Sequence, residues 1–169
     1  MIHRRRRLAA AVAAAALALS ACGGGGAADG SVGAELPDVA ITELGGTETT
    51  SLSGIEGPAV INLWATWCPP CRSEIPDFEE VHQDRGETIR FVGISVDADD
   101  APAIEFIDEV GATYDQYHDP TGMVQIELQT TAMPVTVVLD ADGKVSTRHL
   151  GALSAEALNE AIDTALAAG

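Results

Sequence analysis

Two of the three cysteines lie three residues apart, in Trp67-Cys68-Pro69-Pro70-Cys71. Paired thiols at that spacing can exchange disulfides, hold half of a metal site, or form a plain structural bridge. What surrounds them favours exchange. An apolar run, Ala59-Val60-Ile61-Asn62-Leu63-Trp64, precedes the pair, and a helical pattern follows it. Pro69 suits the first helical position, where its missing N–H would have no partner in any case. Cys68 then stands at a helix N-terminus, among free N–H groups and at the positive end of the helix dipole, where a thiolate is favoured. Thiols so placed titrate at ~3.5–7.5, which makes Cys68 the attacking sulfur of an exchange reaction. Cys71 is on the same helix face, within reach of a bridge and one turn deeper, suited to resolving a mixed disulfide.

The competing readings have less behind them. A structural zinc site needs two more ligands, and His82, His118 and His149 are scattered without ligand spacing. A Cu(I) carrier using the pair with a histidine is the non-enzymatic alternative. A structural bridge closing so short a loop adds little by chain entropy. Glu74 is three residues beyond Cys71 on the same face. Buried, it would hold a proton to higher pH and could exchange it with Cys71; solvated, it would only favour the dipole. Trp67 and Pro69 flank Cys68 and are candidate client contacts, with packing the plainer reading of both Trp64 and Trp67. Tyr114 and Tyr117 read as groove or partial core. Asp140-Ala141-Asp142-Gly143 reads as a hairpin turn, not a calcium loop.

These groups must be positioned by a sheet and helices. Val39–Leu44 and Thr47–Ser51 around Gly45-Gly46 predict a hairpin. Ala59–Trp64 and Ile89–Val96 predict strands buried on both faces. Helical spacing predicts Pro69 to about Asp84, Pro102–Val110, a helix from about Thr121 to Leu128, and Ser154–Ala167 capped by Ser154. Val135–Leu139 and Lys144–His149 predict a second hairpin. The fold class is α/β, a central mixed β-sheet with helices on both faces.

The first thirty residues read as targeting. His3 and Arg4–Arg7 form a basic start, and Leu8–Ala21 is an apolar run of 14 residues, shorter than the ~20 needed to span a bilayer. It ends in Leu19-Ser20-Ala21-Cys22, which resembles a bacterial lipobox with Cys22 as the acylated residue. The expected organisation is a lipoprotein signal peptide over 1–21, a flexible Gly-rich tether over 22–34, and one domain over 35–169. Export places the cysteines where disulfides persist. From Cys22 onward the chain carries 26 acidic residues against five Lys or Arg, a formal −21. That balance argues against nucleic-acid binding.

Trp64-Ala65-Thr66-Trp67-Cys68-Pro69-Pro70-Cys71-Arg72-Ser73-Glu74-Ile75-Pro76 resembles the active-site block of TlpA/ResA-type thioredoxin-like proteins, and the likeness runs from about Leu36 to the C-terminus. The resemblance implies a thioredoxin-like fold with an added N-terminal β-hairpin. It also implies an exported or membrane-anchored thiol–disulfide oxidoreductase with no bound cofactor or metal. Its partners would be client proteins bearing disulfides or thiols, apocytochrome c among them, and a membrane thiol donor or acceptor; the oxidative direction, forming disulfides in exported proteins, uses the same atoms. Met133-Pro134 resembles the family's cis-proline beside the disulfide, with Met133 as a variable client-facing position or a packing residue. Glu74 matches the family's active-site acid. Asn62 stands where thioredoxin has a buried acid, which leaves more of the proton handling to Glu74.

Overall fold

Strand β3 (Ala59–Trp64) is the axis of the fold, and all six of its residues are buried. A run so apolar is stable as a strand only between two layers, and both of its edges are paired. In the computed structural model, which describes residues 30–168, β3 pairs in parallel with β4 (Arg90–Ser95) and antiparallel with β6 (Val135–Leu139). The parallel link is made by α1 (Pro69–Arg85), as parallel neighbours require. A second crossover through α2 (Ala101–Val110) adds β5 (Asp115–His118) parallel to β4. The hairpin of β1 (Ala40–Glu43) and β2 (Thr49–Ser51) joins the free edge of β5. At the other edge β7 (Val145–Leu150) pairs with β6. The order is β2-β1-β5-β4-β3-β6-β7, a mixed seven-stranded sheet.

Alternation along β3 divides the core. Val60 and Trp64 pack with Phe78 and Ile75 of α1, Phe106 of α2, and Leu158 of the terminal helix α4 (Ala155–Ala168). Ala59, Ile61 and Leu63 face the other way, onto Leu36, Val39, Leu52, and Val124 of the short helix α3 (Met123–Glu127). Helices thus cover both faces, with the three long ones on the same side.

The structure departs from the sequence expectations in three places. Strand β5, absent from the sequence expectation, has no apolar pattern; its place comes from pairing with β4 on one side and β1 on the other. Helix α3 starts two residues later than expected. The Asp119 carboxylate takes the Thr121 hydroxyl and the Val124 N–H at 2.7 Å each, while Gly122 adopts φ +67°, so 119–122 form a turn. The end of the expected tether, 30–34, lies on the domain: Gly33 N–H donates to the Val145 carbonyl and Val145 N–H to that of Ala34. Packed structure therefore begins before residue 35. The signal peptide, Cys22 and the rest of the tether lie outside the described residues.

Candidate active site

The chain leaves β3 at Trp64 and turns through Ala65–Trp67. Cys68 N–H closes this turn onto the Ala65 carbonyl at 3.2 Å. Cys68 is the N-cap of α1 with extended backbone, and Pro69 and Pro70 open the helix. Those prolines have no N–H, so the first donor the helix can offer is that of Cys71. It points at Cys68 Sγ, 3.3 Å away. The two cysteines form a disulfide with Cα atoms 5.3 Å apart. Cys68 keeps 4 % exposure, whereas Cys71 is fully buried among Trp64, Ile75 and Phe106. This asymmetry lets one sulfur be approached from solvent and keeps the other for the internal step. Arg72, next in the helix, lies over the Phe106 ring at 4.1 Å and faces Glu109 at 3.9 Å.

Glu74 is not a solvated first-turn acid: it is 2 % exposed. Its Oε1 accepts from Asn62 Nδ2 at 2.8 Å, and its Oε2 from the Leu153 N–H at 2.9 Å. Burial pushes its pKa up to about 7, the two hydrogen bonds oppose the rise, and nearby Asp77 adds to it. A carboxyl poised near neutrality, three residues from a buried thiol on one helix face, can take or return a proton under ordinary conditions. Asn62 supplies one of the two bonds that hold it. The side chain of Asn62 also approaches Thr136 Oγ1, its partner across the β3–β6 ladder, at 3.5 Å.

The Met133–Pro134 peptide is cis, and the Pro134 carbonyl accepts from Gly151 N–H at 2.9 Å. Met133 is half-buried and packs against the cluster that contains both cysteines. The tryptophans separate: Trp64 is buried with its indole N–H on Gln116 Oε1 at 3.1 Å, while Trp67 is 63 % exposed. The packing reading therefore holds for Trp64 and fails for Trp67, which stands in solvent beside Cys68. Pro69 is exposed at the first turn of α1.

Sequence reasoning missed two residues. Asp97, just past β4, binds the loop that carries Trp67 and Cys68 through Thr66. Gln116 on β5 receives the Trp64 indole. The available signal for Asp97 was an acid directly after an apolar strand, at the end of the sheet where ligands gather. Nothing in the sequence singled out Gln116, because its strand was itself unread. Among the described residues, no group of three or more His, Cys, Asp or Glu side chains is arranged to hold a metal ion, and no helix is long and apolar enough to cross a membrane.

Comparison with known proteins agrees with this geometry. The redoxin family pattern matches residues 31–166. The thiol–disulfide oxidoreductase ResA of Oceanobacillus iheyensis is 31% identical over 132 residues, 75% of this chain and 69% of that protein. The DsbE homologue of Paracoccus denitrificans, a thiol:disulfide interchange protein, is 33% identical, covering 74% of this chain and 69% of its own. Among solved structures, a putative thiol:disulfide interchange protein DsbE from Chlorobium tepidum superposes with TM-score 0.71 at 29% identity, over 80% of this chain and 97% of that one. A DsbF homologue from Corynebacterium diphtheriae gives TM-score 0.65 at 30% identity, over 78% and 86%. With its thioredoxin-like sheet and its cysteine pair at the mouth of α1, this chain belongs to the redoxin family and is a thiol–disulfide oxidoreductase of the ResA/DsbE type.

Proposed function

We propose that the protein reduces disulfides in client proteins outside the cytoplasm, held at the cell membrane by lipid on Cys22. The redox chemistry is carried by the Cys68–Cys71 pair alone. The observation that supports this reading most is the Cys71 N–H aimed at Cys68 Sγ, at a helix mouth from which only Cys68 meets solvent. In the reduced enzyme that N–H would stabilise a Cys68 thiolate. The thiolate attacks a client disulfide; one S–S bond breaks, a mixed disulfide forms, and a client thiolate leaves and takes a proton. Cys71 then gives its proton to Glu74 and attacks Cys68 Sγ. The second client thiol departs, and the enzyme is left with its own disulfide, two electrons poorer. A membrane thiol donor restores the pair. Trp67 and Pro69, which flank Cys68 in the chain, Met133, which packs against the cysteine cluster, and cis-Pro134 are the proposed client contacts. Apocytochrome c, before haem attachment, is the client that the family resemblance implies.

The test is capture in cells with Cys71→Ser, which stalls the mixed disulfide, together with the redox state of the wild-type pair in the same cells. The reading expects trapped clients that require Cys68 and a wild-type pair held mainly as dithiol. An apocytochrome client would carry a C-x-x-C-H haem-attachment segment. Trapped clients with a wild-type pair held mainly as disulfide would establish an oxidase. Tight binding of one Cu(I) with no trapped client would establish a metal carrier.

A further inference from the structure

The turn between β3 and Cys68 is tied to a single buried carboxylate. Asp97 is 4 % exposed. Thr66 N–H donates to its Oδ2 at 3.0 Å, and the Thr66 hydroxyl to its Oδ1 at 2.7 Å. Ser95 Oγ donates to Oδ2 at 2.9 Å, and Asp97 N–H returns to Ser95 Oγ at 3.2 Å. From β5, His118 Nε2 lies 2.7 Å from the Asp97 carbonyl oxygen. Burying a carboxylate is unfavourable unless donors satisfy it, and here neutral donors do so. A local turn after β4 would need only the exchange between Ser95 and Asp97. Both bonds to Thr66 reach across to a loop 31 residues earlier in the chain, two residues before Cys68.

We propose that Asp97 is a positioning residue for thiol–disulfide exchange: through Thr66 it fixes the Ala65–Trp67 turn, so that Cys68 sits at the N-cap with its sulfur facing the Cys71 N–H. This rests on the reading of Cys68 as the attacking thiol. Before Thr66 the end of β3 is held across to the end of β4 by Val96 N–H on the Trp64 carbonyl, and after it Cys68 N–H closes the turn onto the Ala65 carbonyl. Thr66 itself, at the middle of the turn, is tied sideways to the end of β4 by its bonds to Asp97. Released, Cys68 Sγ loses its fixed donor and keeps its proton to higher pH. The charge of Asp97 acts in the opposite sense, since a nearby carboxylate disfavours a thiolate; removing it without moving the loop would lower the Cys68 pKa. The two effects therefore have opposite signs. Other charged or titratable groups on the surrounding elements include His118, Tyr117 and Asp115 on β5, Asp99 and Asp100 in the same loop, and Arg72, Glu74 and Asp77 on α1. Among the described residues Arg72 is engaged by Glu109, and Glu74 by Asn62 and Leu153.

The experiment titrates Cys68 in the reduced protein by its alkylation rate against pH, and measures the reduction potential of the pair against glutathione. Asp97→Ala is expected to raise the Cys68 pKa by about one unit, roughly a tenfold loss of thiolate below the pKa, and to make the pair more reducing. Asp97→Asn keeps an acceptor for Thr66 and offers an amide to Ser95, so its pKa should be unchanged or lower. Thr66→Val loses the hydroxyl donor and should shift in the same direction as Asp97→Ala, by about threefold in thiolate. A Cys68 pKa in folded Asp97→Ala at or below that of the wild type overturns the proposal, as does an Asp97→Asn shift upward as large as that of alanine. If Asp97→Ala does not fold, an unchanged titration in Thr66→Val overturns it. Failure of the underlying reading shows separately, as Cys68→Ser retaining reductase activity on a model disulfide.

Discussion

Replacing Glu74 with Gln isolates the carboxyl on the buried face of the active-site helix. In the folded protein its pKa is pushed up to about 7, mainly by burial, from an ordinary value of 4.5. The unfolded chain therefore loses this proton first. Between those two pH values the native state binds more protons than the unfolded state, so stability falls as pH rises. Below the unfolded pKa the contribution vanishes; above about 7 the penalty is complete and constant. Taking 1.36 kcal/mol per unit, Glu74 alone should lower the stability of the wild type by about 2.5 kcal/mol between pH 5 and pH 8. Glutamine removes that slope. It also fits the site: among the described residues Asn62 Oδ1 has no hydrogen-bond partner, so with the Asn62 amide turned over it can accept from the Gln side chain, while the Gln oxygen keeps the Leu153 N–H. The assay is urea unfolding of the oxidised proteins, in which neither cysteine titrates, at intervals from pH 5 to pH 8. The free-energy difference between variant and wild type should grow in favour of the variant by about 2.5 kcal/mol across that range. Parallel curves would refute the argument, since they would mean that Glu74 titrates alike in both states. In the reduced enzyme, Glu74→Gln should also slow resolution of the mixed disulfide near and just above neutral pH, where the Glu74 carboxylate is formed and Cys71 still holds its proton.

Gly93 of β4 lies between Asn62 and Gln116 in the sheet, and a Cβ there would run into the Gln116 amide that receives the Trp64 indole. Gly93→Ala should cost about 1–3 kcal/mol in thermal or denaturant unfolding, and a Gln116→Ala background should relieve part of it in a double-mutant cycle. Trp67→Ala should change stability by less than about 0.5 kcal/mol, as expected for an exposed side chain, while weakening reaction with protein clients more than with a small disulfide. For Cys22, labelling cells with radioactive fatty acid should mark the mature protein, and Cys22→Ser should release it from the membrane; an unlabelled mature chain would retire the anchor.

The sequence by itself carried the reaction and the frame around it. Two prolines between two cysteines dictate where α1 begins and which sulfur caps it, since proline fixes φ and removes a donor whatever the surroundings. The apolar run of β3 and the periodic faces of α1, α2 and α4 were equally readable, because burial selects residue types at fixed intervals. What only the tertiary structure decided were groups whose role depends on neighbours far along the chain. Whether Glu74 is a surface charge or a proton carrier turns on Asn62 from β3 and on the Leu153 N–H, 79 residues away. Strand β5 exists because β4 and β1 offer it two edges, not because of its own side chains. Asp97 reads as one acid among 26 until β4 carries it beside Thr66. Backbone constraints and hydrophobic periodicity are local and survive as sequence patterns, whereas desolvation and cross-strand hydrogen bonding are made only when distant segments meet.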